Sequence, residues 1–182
     1  MDVRPDLQIQ AMLTAMRDVI VPAVDPDNKL AQEQAHLVIG TLQLIARRQS
    51  IAYQYDCDEL QRYVRFAETL SICAGAEADP ELAMALSQSA ASGSSLLERP
   101  RVPPSEIEAA IFDLRALTGE LIQNVWSCGA KSTRKALFDE VLAMSRSELD
   151  RELAMVVDMG FQTDQEKQRE LIEHQLGVRV GE

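Results

Sequence analysis

From Ile107 to Cys128, apolar positions recur at alternating spacings of four and three residues: Ile107, Ile111, Leu114, Thr118, Leu121, Val125 and Cys128. A strand exposes every second residue to the same face, so it cannot produce this pattern. A heptad seam sustained over so many turns belongs to a helix packed along a neighbour, as in a bundle. Ser105 and Glu108 have capping-box spacing at its start, and Gly129 stands at the expected C-cap.

The same period runs through the rest of the chain. In the first segment Ile9, Met12, Leu13, Met16 and Ile20 share one helical face, and Pro22 with the turn "DPDN" (25–28) ends it. A second helix is expected from Lys29 toward Ala52, with Leu30, Leu37, Thr41, Leu44, Ile45 and Arg48 as its inner stripe. Asp56 and Glu59 have capping-box spacing ahead of a third helix, with Leu60, Tyr63, Val64, Ala67, Leu70 and Ala74 inward. Asp79 and Pro80 form a helix start of the N-cap and first-turn-proline type. The fourth helix then carries Leu82, Leu86, Ser89, Ala90, Gly93 and Leu97 on a face that is small in its middle. A continuous helix that lets another backbone come close fits this face; a break near Gly93 is the competing expectation.

Pro100, Pro103 and Pro104 make residues 99–104 a connector. A sixth helix carries Phe138, Val141, Leu142, Ser145, Leu149, Leu153 and Val156 and stops at Gly160. Thr163 and Glu166 cap a last helix reaching about Leu176. The aromatic content of 4% argues against a sandwich or barrel. The expected fold is all-α, an antiparallel helical bundle of roughly six or seven helices in a single domain, 1–182.

A formal net charge of −11 repels a nucleic-acid backbone or an anionic membrane surface, and no basic patch breaks that field. Cys57, Cys73 and Cys128 are odd in number and widely spaced, which reads as free thiols in a reducing compartment. The start "MDVRPDLQIQAM" lacks the plan of a secretory signal, and no apolar run nears the ~20 residues of a membrane span. The expectation is a cytoplasmic protein with neither membrane nor nucleic acid as partner.

Glu33 and His36 have the Glu-x-x-His spacing of ferritin-like metal bundles. Such a site needs inward ligands and a second copy of the motif. At about 100° per residue, His36 turns away from the expected stripe of its helix. The other histidine, His174, has Glu170 and Glu173 at the wrong spacings. The pair reads as part of a solvated face, with no metal and no cofactor expected.

"CGAKSTRK" (128–135) resembles the end of a phosphate loop, but Ala130 and Val125 stand where the motif needs glycine, and a helix precedes it where a strand is required. A weaker reading places an anion on Lys131, Ser132 and Thr133, since a cationic helix start offers free N–H groups and opposes its own dipole. In the bland alternative, Lys131, Arg134 and Lys135 pair with acidic side chains. Glu152, a carboxylate inside an apolar stripe, and Tyr63 are the candidates for lining a pocket. Trp126 is expected to pack against another helix. No catalytic residues are singled out.

The stretch from Arg4 to Arg48 resembles a bacterial family of small helical proteins of unknown function. That family pairs a first helix ending in a V-x-P-A turn with a second helix of the A…L-x-I-x-x-R type. Here Val21, Pro22, Ala23 and Val24 form the turn, and Leu44, Ile45, Ala46, Arg47 and Arg48 close the second helix. The resemblance covers about the first quarter of the chain. Members are encoded near acyl-CoA dehydrogenases and aminoglycoside-phosphotransferase-like proteins, which implies an accessory role, a possible partner enzyme and no catalytic residues to transfer. The expected function is a non-catalytic interaction module and homodimer. The alternative is a bundle whose interior pocket binds or transforms a small molecule.

Overall fold

The computed structural model of the chain describes residues 4–156. Six helices make up the described part, which contains no strand. The chain divides into two compact units, residues 1–52 with 151–182 and residues 53–150.

In the first unit, α1 (Pro5–Ala15) does not stop before Pro22. Proline has no N–H for the carbonyl four residues back, and its ring crowds that carbonyl. The helix widens instead: Met16–Ile20 is a π-helical turn, with the Val21 N–H donating to the Met16 carbonyl. One more turn, Val21–Ala23, follows. The "DPDN" turn then forms as expected. The Asp27 N–H donates to Asp25 Oδ1 at 2.9 Å, and the Ala31 N–H donates to Asn28 Oδ1 at 3.1 Å, capping α2 (Lys29–Gln49).

α1 packs along α2. Ile9 and Leu13 of α1 are buried, whereas Met12 and Ile20 are exposed. The buried position of α2 is Ala35, with Ala31, Ile39, Leu42 and Ala46 half-buried. The expected inner stripe is therefore corrected: Leu30, Leu37, Thr41 and Ile45 are exposed. The helix is apolar on two sides, and the alanine-rich side admits the closer neighbour.

The second unit is built from α3 (Ala52–Ala74), α4 (Pro80–Glu98), α5 (Pro104–Cys128) and most of α6 (Lys131–Val156). α3 starts before Asp56, so the expected Asp56–Glu59 capping box lies inside the helix. α5 likewise starts at Pro104, with Pro103 at its cap and no side-chain cap bond, so Ser105 lies in the first turn. Leu60, Leu70, Leu86, Ile107, Leu114 and Leu121 are fully buried in one apolar core, which Leu137 of α6 closes. Each such side chain contributes roughly 1.5–3 kcal/mol.

α4 is continuous through Gly93, and its small face packs as expected. A Cβ on Gly93 would stand 2.9 Å from Val64 Cγ2 and 3.2 Å from Leu60 Cδ1, so α3 fills that space. On α6 the inner line is Leu137, buried, with Val141 and Met144 half-buried. Phe138, Leu142, Ser145 and Leu149 were expected inside and are exposed. The expected stop at Gly160 and the helix from Thr163 lie outside the described residues.

Candidate functional site

The cationic start of α6 is where the chain was expected to hold an anion. The anion there is one of its own side chains. α3 ends at Ala74, and Gly75 turns the chain with φ of +53°, a left-handed conformation that side chains disfavour. A short 3₁₀ turn (Gly75–Glu77) follows, which brings the Glu77 carboxylate to α6. Glu77 Oε2 accepts from the Ala130 N–H at 2.6 Å, and Oε1 accepts from the Thr133 hydroxyl at 3.0 Å. Negative charge at a helix N-terminus satisfies a free donor and complements the dipole.

The neighbouring residues fit around this carboxylate. A Cβ on Gly129 would lie 2.7 Å from the Val125 carbonyl and 2.9 Å from Glu77 Oε2, so only glycine leaves room there. Arg134 Nε donates to the Gly129 carbonyl at 2.8 Å. Two residues past Glu77, the Asp79 N–H donates to Asn124 Oδ1 at 3.0 Å, while Asp79 Oδ1 accepts from the N–H groups of Glu81 and Leu82. Lys131 and Ser132 are exposed and Thr133 is half-buried. Lys135 pairs with Asp139 at 2.6 Å. This cluster ties the loop between α3 and α4 to the junction of α5 and α6.

The pocket candidates fall in different units. Glu152 is exposed on α6, not turned inward as its stripe suggested. Tyr63 is half-buried in a surface cluster. Its ring meets Phe66 edge-on at 6.4 Å, and the Arg115 guanidinium stacks over it at 5.0 Å while pairing with Glu59. Arg62 donates to Glu148 and to the Ser147 hydroxyl, joining α3 to α6 by a half-buried ion pair that no local spacing announces. Glu33 and His36 are both exposed, and His36 Nδ1 lies 2.7 Å from the Gln32 carbonyl oxygen. Among the described residues no three His, Cys, Asp or Glu side chains converge to hold a metal ion. The cysteines are free thiols. Burial pushes the Cys57 thiol up, partly offset by a hydrogen bond with Tyr53 and reinforced by the Asp56 charge.

What the second unit does present is apolar surface. On α5, Phe112 is 57% and Trp126 54% exposed, correcting the expectation that Trp126 packs against another helix. Ala116 and Gln123, on the same side, are exposed as well. On α6 a second row runs through Phe138, Leu142 and Leu149. No described helix is long and apolar enough to cross a membrane. Comparison of the chain with protein-family models, with curated proteins and with solved structures finds no match.

Proposed function

We propose that this chain is a non-catalytic interaction module, an accessory helical protein that works by packing its outer helix faces against another protein surface, in the first instance a second copy of itself. The observation that carries the reading is the pair of exposed aromatics on α5: a chain with one tryptophan leaves it on an outer helix face that also bears an exposed phenylalanine, Phe112, about four turns away. Tryptophan, with tyrosine and arginine, is enriched at binding hot spots. The small face of α4 is compatible with the same reading, because Val64 and Leu60 of α3 stand against it at Gly93. A net charge of −11 turns the module toward protein partners and away from nucleic acid. A partner enzyme is the second kind of surface it would serve.

Sedimentation of the full chain from about 1 to 100 µM tests this. A species heavier than the 20.2 kDa monomer is expected, growing with concentration. A monomer throughout, whose melting temperature rises with a small metabolite, would replace this reading by that of a ligand-binding bundle.

A further inference from the structure

The outer face of α5 carries a glycine that the packing of the described residues does not require. Gly119 sits in the middle of a 25-residue helix, where glycine costs about 1 kcal/mol relative to alanine. It has no positive φ, and a Cβ built on it meets no atom within 4 Å. Gly93 differs in this respect, because its missing side chain makes room for Val64. The space beside Gly119 is open, on the face that also bears Phe112 and Trp126.

These three positions are evenly spaced. Phe112 precedes Gly119 by seven residues and Trp126 follows it by seven. At about 100° per residue they fall within ~40° of one another, and each aromatic stands ~10 Å along the helix from the glycine. The row reads the same in both directions by size: large, small, large. A two-fold axis through Gly119 would set Phe112 of one copy against Trp126 of the other, twice, with the glycines at the closest approach.

The charges agree with that antiparallel register. It brings the start of α5, with exposed Glu108, beside exposed Lys131 at the start of α6 in the second copy. A closed two-fold contact repeats this acid–base pair at both ends.

Resting on the reading of the chain as a self-associating module, we infer that the α5 face Phe112–Gly119–Trp126 docks an antiparallel second copy of the same helix, with Glu108 of each copy against Lys131 of the other. The test uses the full chain and its single tryptophan. Self-association should be accompanied by a blue shift of Trp126 emission and by protection from quenchers. Gly119→Ala should weaken association tenfold or more without lowering the melting temperature of the dilute protein, because the added methyl has space within the monomer. Glu108→Lys and Lys131→Glu should each weaken association, and the double variant should restore it. The restoration separates a contact in this register from simple misfolding. Association that is unchanged by Gly119→Ala and by Trp126→Ala would overturn this face while leaving the module reading intact, with the exposed face of α2 as the next site. A monomer at every concentration would overturn both.

Discussion

Glu77 carries more of this structure than its exposed position suggests. Its carboxylate holds the Ala130 N–H and the Thr133 hydroxyl together, so Glu77→Ala removes an acceptor at a helix start. A loss of about 1 kcal/mol is expected in denaturant unfolding, the usual cost of a lost cap. Cysteine reactivity gives a second check at this scale. The thiolate is the reactive form, and burial holds the Cys57 thiol above its ordinary value of 9.0. At neutral pH Cys57 therefore carries less thiolate than an ordinary cysteine. Its alkylation rate should keep climbing as pH passes 9.0. Exposed Cys128 should be labelled first, as peptide mass mapping will show. Early labelling of Cys57 at neutral pH would contradict the burial on which this rests.

Among the helices, the glycine positions separate packing from surface. Gly93→Ala pushes a methyl against Val64 and should cost about 1–3 kcal/mol, the usual price of overpacking. Gly40→Ala, on α2, adds its methyl to open space and should be neutral or stabilising by up to about 1 kcal/mol. Thermal melts of the two variants will rank them, and equal shifts would mean that α4 does not lie against α3 as described. How much was legible in the sequence follows the same division. The seam of α5 and the inner faces of α3 and α4 were readable because their apolar residues keep an unbroken helical period on one side, with Ile107, Ile111, Leu114, Leu121 and Val125 buried where the period put them. On α2 and α6 apolar residues occupy two sides, and period alone cannot choose between them. The larger residues were expected inside, yet Ala35 and Leu137 are buried while Leu37 and Phe138 are exposed. At the start of α6, where an anion was expected on Lys131, Ser132 and Thr133, the Glu77 carboxylate meets Ala130 and Thr133, and this was not legible because Glu77 lies far away in the chain and carries no local signal.

At the scale of the molecule, the described cores of the two units are unequal. Fifteen buried side chains form the core of the unit built on α3 to α6, whereas the described part of the other unit buries Ile9, Leu13, Ala35, Ile51, Arg151 and Ala154. Protection against hydrogen exchange follows buried packing, so the central amides of α3, α4 and α5 should exchange most slowly, and those of α1 and α2 should exchange earlier. Mass spectrometry on peptide fragments resolves this order. Equal protection of α2 would show that its exposed row of Leu30, Leu37 and Ile45 is covered in solution.

The contact of Glu77 with Ala130 also bears on time. It joins points 53 residues apart, and α4 and α5 must both be in place before those points meet. We expect a contact with so long a closure to form after the barrier, so that its loss would fall on the unfolding rate. In a stopped-flow chevron, Glu77→Ala should raise the unfolding limb by about fivefold for each 1 kcal/mol lost and leave the refolding limb where it was. With that outcome Glu77 would be a latch on the finished bundle, setting how long the fold lasts without affecting how quickly it forms.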